Sequence, residues 1–181
     1  MTLRKIARLG HPVLLERARE VADHDEPEIR RLIDDMIETL RDAGGFGIAA
    51  PQVYAALRII LIVHLEEDDR PRGDDPLVLL NPVLEPVGSE RELAIEGCLS
   101  IPGIRGIIPR YRVVRYDGID RDGKPLSGEA SGLFARILQH EVDHLDGILF
   151  PERLVHPCDM AFESERKHLE DRMRSANHHV E

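Results

Sequence analysis

Apolar side chains in residues 25–42, DEPEIRRLIDDMIETLRD, recur every three or four positions: Ile29, Leu32, Ile33, Met36, Ile37 and Leu40. On a helix these positions form one stripe, so the segment is predicted to be an amphipathic helix buried along one side. Asp25 is the expected N-cap, with Glu28 three residues on, and Gly44-Gly45 end the helix. The pattern then changes. Residues 58–65, RIILIVHL, are an apolar β-branched run, the mark of a buried strand. EEDDRPRGDDP follows, an acidic Pro/Gly loop. It reads as a surface excursion and not a domain boundary, because the strand signal resumes in PLVLLNPVLEPV. Residues 111–119, YRVVRYDGI, and 124–130 are expected to be two strands joined by the turn signal DRDG.

A second patterned helix is predicted from about Ser131 to just before Gly147. Leu133, Ile137, His140 and His144 share one side of it, and Phe134, Leu138, Glu141 and Leu145 line the adjacent strip. The C-terminal segment from about 159 to 176 reads as a charged helix, with 177–181 as a frayed tail. The expected fold class is α+β: mostly antiparallel strands packed around a central helix, in a single domain spanning residues 1–181.

Composition refines this picture only slightly. The chain has 181 residues, 42% apolar and 32% charged, as ordinary soluble globular proteins do. A net charge of −10 and the lack of any Lys/Arg block argue against a direct nucleic-acid site. The arginines Arg105, Arg110, Arg112 and Arg115 are read as one solvated strand face. Cys98 and Cys158 lie far apart and suggest no secreted disulfide framework. The N-terminal stretch is too interrupted by charge for a signal peptide, and no segment approaches a membrane span. A reducing cytoplasm is the expected compartment.

QHEVDHLDG, residues 139–147, brings in chemistry. His140 and His144 stand one helical turn apart, so their rings can share one ion, and Glu141 lies beside them to handle a proton. The plain alternative is an exposed helix that happens to carry histidines. Against it, the two histidines continue the apolar face of Leu133 and Ile137, which predicts burial. A catalytic ion of this kind needs a third protein ligand and one free position. The position a third histidine would take in one large protease group is Phe150. Glu163 and Glu165 are downstream candidates, but they sit on a segment that reads as solvent-facing. Cys98, in LAIEGCLSIPG, is the remaining soft donor, with a small buried hydrophobe as its plain reading.

Three stretches taken together, GFGIAAPQ (45–52), EGCLS (96–100) and QHEVDHLDG (139–147), resemble in order the three signature motifs of peptide deformylases. The resemblance implies that Cys98, His140 and His144 bind one divalent metal, usually Fe²⁺, with Zn²⁺, Ni²⁺ or Co²⁺ able to substitute. It implies that a water activated by that metal removes the N-formyl group from the N-terminal methionine of newly made proteins. Glu141 is then the general acid/base, and Gln52 and the backbone N–H of Leu99 stabilise the oxyanion. N-formyl-methionyl nascent peptides are the implied partner, and contact with the ribosome would follow from that role. Where many relatives carry a glutamate after the second motif, this chain has Gly103.

Around these residues the expected substrate contacts are Phe46, Gly47, Gly97, Leu133 and Ile137. Phe46, Leu133 and Ile137 would line a pocket for a methionine-like side chain. Gly45 and Gly47 are expected to take unusual dihedrals and to let a peptide approach by strand addition. Gln52 has a plain reading as a surface glutamine. Gln139 and Asp143 flank the ligands and could hold the second nitrogen of an imidazole. Arg105 or Arg110 is the expected partner of Glu96. Two rival readings stay open. One is a zinc endopeptidase with a downstream third ligand, for which Cys98 is dispensable. The other is a non-enzymatic metal-binding or sensor module, for which Glu141 is dispensable.

Overall fold

The computed structural model describes residues 2–66 and 75–177, and of 176 and 177 only the backbone. Most of the expected acidic loop and residues 178–181 of the expected frayed tail lie outside that range. The first patterned helix is α1 (Pro27–Ala43), and its whole apolar stripe is buried. It starts two residues later than Asp25. Proline at the first helical position needs no N–H partner and has its φ already set, so the helix begins there, with Glu26 at the cap and no side-chain cap bond. Asp25 pairs instead with Arg30. Gly44 closes the helix in the left-handed region, at φ 62°.

Eight strands form two sheets among the described residues. The larger has the order β1-β2-β3-β6-β7: β1 (Gly47–Ala49), β2 (Ile59–Ile62), β3 (Leu77–Pro86), β6 (Val113–Ile119) and β7 (Pro125–Ser131). The smaller has the order β4-β5-β8: β4 (Arg91–Cys98), β5 (Ile101–Tyr111) and β8 (Met160–Phe162). All these pairings are antiparallel. The run RIILIVHL becomes β2, and its apolar continuity has a direct cause. Ile59 and Leu61 join the cluster under α1, while Ile60 and Ile62 join the cluster under the second helix, so both faces of the strand are covered. The β6–β7 hairpin turns through Asp120–Gly123 as DRDG predicts. Asp120 Oδ1 accepts from the backbone N–H of Asp122 and of Lys124, each at 2.9 Å.

The second patterned helix is α2 (Gly132–Leu145), which follows Ser131 as expected. It packs on strands of both sheets, so the α+β arrangement around a central helix is the one observed.

Two further expectations about the fold fail. The C-terminal segment is not one helix from 159. Met160–Phe162 forms β8 first, because the edge of β5 offers unpaired backbone groups to it, and α3 runs only over Arg166–Asn177. The arginine series is not one solvated face either. Arg110 is 5% exposed, and its guanidinium lies inside the molecule among carboxylates.

Candidate metal centre

β4 carries its last residue, Cys98, to the point where the β4–β5 pairing slips register between Gly97 and Cys98. Such a slip re-aims a side chain out of the regular ladder. α2 brings His140 and His144 to the same place, one turn apart, with Cys98 Sγ 3.2 Å from His144 Nε2. One ligand atom from each of Cys98, His140 and His144 lies within 4.8 Å of the others, and all three residues are buried. The donor set of one sulfur and two imidazoles suits a divalent transition metal. The buried Oε2 of Glu141 has no hydrogen-bond partner, as expected where a site is finished by something other than side chains.

At His144 the electrostatics agree with ligation. Burial and the neighbouring His140 push the His144 imidazole towards its neutral form, the form with a lone pair to offer. At His140 burial is outweighed by contacts with Cys98 and Glu96, and its pKa is raised. Burial pushes the Glu141 carboxyl up to about 7, with His140 opposing the shift. A carboxyl in that range can both take and return a proton near neutrality.

Behind the rings is a charge network that the sequence reading recovered only in part. Glu96 accepts from His140 Nδ1 at 2.9 Å, and so fixes which ring nitrogen faces the sulfur. Glu96 also accepts two bonds from Arg110 at 3.0 Å each and one from Arg136 at 2.8 Å. Burial alone would raise the Glu96 pKa, but the bonds from His140 and Arg110 win and hold it at about 2. Arg110 is therefore the partner of Glu96. Arg105 instead lies over Gly97 and pairs with Glu163. That pairing, on an exposed residue, also removes Glu163 as a third ligand.

Gln139 and Asp143 do not hold the imidazoles. Gln139 bonds the backbone of Tyr111 in both directions, and Asp143 pairs with Arg110 and Arg153. Arg136 and Arg153 were not anticipated, because nothing local distinguishes them from surface arginines. Phe150 is buried and stacks against His140, with ring centroids 6.4 Å apart.

Gln52 is 1% exposed, which excludes the surface reading. Its Oε1 accepts from Ala49 N at 2.8 Å, so its amide NH₂ points the other way, towards Ser100 Oγ (3.2 Å) and Cys98 Sγ (3.5 Å). A cleft of ≈ 790 Å³ opens onto the group, and Phe46, Gly47, Gly97, Leu99, Leu133, Ile137 and Glu141 all line it. Neither Gly45 nor Gly47 is among the left-handed glycines, so the expected unusual dihedrals are absent. At Gly47 the requirement is closeness: an added Cβ would stand 2.6 Å from Glu141 Oε1 and 2.8 Å from its Cγ. A second cavity, ≈ 670 Å³ between α3 and the smaller sheet, contains none of these groups.

The family model for polypeptide deformylase matches residues 3–159. Peptide deformylase 1 of Bordetella pertussis is 48% identical over 153 residues, covering 82% of this chain and 86% of that protein. Peptide deformylase 1 of Corynebacterium efficiens is 47% identical over 154 residues, covering 85% and 88%. The K1U-bound class I type b peptide deformylase from Acinetobacter baumannii is similar in structure, with a TM-score of 0.79 and 35% identity over 85% of this chain and all of that one (100%).

Proposed function

The chain belongs to the polypeptide deformylase family, a family of metalloenzymes, and from that premise we propose what each residue of the cleft does. The reaction itself is hydrolysis of the formyl amide on the N-terminal methionine of nascent proteins. The observation that carries the assignment of roles is the convergence of Cys98, His140 and His144 within 4.8 Å beside a buried Glu141.

In this reading Cys98, His140 and His144 hold the ion, Fe²⁺ in its native form, with Zn²⁺, Ni²⁺ or Co²⁺ able to replace it. When bound, the ion supplies Lewis acidity, which makes a water acidic enough to lose a proton near neutral pH. Glu141 accepts that proton and later delivers it to the departing amine. The Gln52 amide and the Leu99 N–H donate to the oxygen of the formyl group as it gains charge. The orientation of the Gln52 amide, held by Ala49 N, supports this, since the donor is aimed before substrate arrives.

The substrate backbone adds to the free edge of β1, the outermost strand of its sheet, and passes Gly47 and Gly97. Phe46, Leu133 and Ile137 receive the methionine side chain. Residues 1–181 act as one catalytic domain, a reading supported by α2 packing on both sheets. The substrate's origin supports a cytoplasmic location and contact with the ribosome. No helix among the described residues is long and apolar enough to cross a membrane.

Three experiments test this. Anaerobically prepared, iron-loaded protein is expected to release formate from a formyl-Met peptide, with about one metal per chain. Cys98→Ser is expected to retain less than roughly a tenth of that metal, because an alcohol is a far poorer ligand than a thiolate. Full metal binding by Cys98→Ser, with the peptide cleaved internally, would favour the endopeptidase reading. Gly47→Ala is expected to lower kcat on the order of tenfold with metal content unchanged, by displacing the Glu141 carboxylate. Unaltered kinetics in that variant would mean that Glu141 tolerates the shift and its position is not critical.

A further inference from the structure

The first residues of the chain run across the molecule as a strap. Thr2 N donates to Asp35 Oδ1 at 2.7 Å and Arg4 N to Thr39 Oγ1 at 3.0 Å, which anchors the strap on α1. Three consecutive residues then meet two separate turns of the active cleft. Ala7 N donates to the carbonyl of Gln52 at 2.8 Å, and Leu9 N donates to the carbonyl of Ser100 at 2.9 Å. Between them, Arg8 Nη1 donates to the carbonyl of Leu99 at 2.7 Å. His11 N donates to Arg8 O at 3.0 Å, and this turn takes the chain away from the cleft.

Gln52 and Leu99 come from distant parts of the sequence, yet they are the two proposed oxyanion donors. They are tied to one tripeptide. We propose that Arg8 is a positioning residue for the reaction: its guanidinium holds the Leu99 carbonyl and so keeps the Leu99 N–H aligned with the Gln52 amide. This inference rests on the donor assignment above. The physical basis is preorganisation, since a donor aids the reaction only when it is already aimed at the oxygen that gains charge. The Leu99 carbonyl shares a peptide plane with the Ser100 N–H, which donates to Cys98 Sγ at 3.4 Å, so Arg8 and the sulfur together fix that plane and limit how the adjoining plane, which carries the Leu99 N–H, can turn. A guanidinium suits this task because it stays ionised and forms charge-assisted bonds.

Arg8 is exposed, whereas Ala7 beside it is fully buried. The side chain of Arg8 can therefore be removed without disturbing the core, and the two backbone bonds of the strap remain. Arg8 also lines the cleft, so a direct contact with substrate is the competing explanation, and the kinetics separate the two.

Wild type, Arg8→Ala and Arg8→Lys are compared in the formate assay on fully loaded enzyme, with metal content and melting temperature measured on the same samples. The expected result for Arg8→Ala is a kcat roughly tenfold lower, with KM within twofold, and unchanged metal content and melting temperature. Arg8→Lys, which can still donate to the Leu99 carbonyl, is expected to recover most of kcat. An unchanged kcat overturns the inference. So does a rise in KM alone, which would make Arg8 a substrate contact, or a fall in kcat that follows loss of metal or of melting temperature. An inactive but metal-loaded wild type sinks the deformylase reading itself, before Arg8 enters.

Discussion

Glu141→Gln is expected to bind metal as the wild type does and to lose roughly 10²- to 10⁴-fold in kcat. Glutamine has the size and shape of glutamate, so it fills the same buried space beside Gly47, but it cannot take up a proton. The loss therefore reports proton transfer and little else. Metal retention follows because Glu141 is not among the ligand atoms that converge with Cys98 Sγ. Burial already disfavours the charged form of this carboxyl, which supports a neutral amide being tolerated in its place. Metal analysis and a formate assay on one preparation decide the matter. Full activity in the substituted protein would mean that another group moves the proton.

The other large effect is expected from Arg110→Ala, in stability. Arg110 is buried and bridges two carboxylates, Glu96 and Asp143. Removing it leaves both in a low-dielectric interior with less compensation. Breaking a buried pair in this way typically costs about 3–5 kcal/mol. Arg136 still serves Glu96 and Arg153 still serves Asp143, so a value near the lower end, about 3 kcal/mol, is expected. The Glu96 carboxylate also orients His140, so metal affinity is expected to fall roughly 10- to 100-fold. Denaturant unfolding at matched metal occupancy measures the first effect, and a competing chelator measures the second. A stability loss under about 1 kcal/mol would show that Arg136 and Arg153 alone neutralise the network. Arg110→Lys keeps the charge but not the two-pronged bond to Glu96, and should fall between wild type and Arg110→Ala.

Network and donors differ in how far they could be read in advance. His140, His144 and Glu141 were legible because their chemistry is rare and their spacing is tied to helical geometry, whereas Cys98 was assigned only through the resemblance of its motif. The surroundings of the histidines were legible only in part: Arg110 was one of two expected partners of Glu96, and the rest was not foreseen. Glu96, Arg110 and Arg136 come from β4, β5 and α2, and each looks like an ordinary surface charge in its own segment. The β4–β5 hairpin itself was hidden, since Arg91–Cys98 mixes charged, apolar and glycine positions without a clean alternation. β8 was hidden for another reason. Three residues cannot specify a strand, and these become one only because the edge of β5 is there to receive them.

By itself, then, the sequence determined the elements with sustained periodicity, α1, α2, β2 and the β6–β7 hairpin, and the paired histidines of the candidate metal centre. Repeating apolar spacing and ligand chemistry are local properties, written within a few turns of chain. Only the tertiary structure decided which charges are buried, which nitrogen of His140 is occupied, and that residues 7–9 cross both donor turns. Those facts depend on partners far apart in the chain, and desolvation makes a buried charge stable only where such partners have been brought to it.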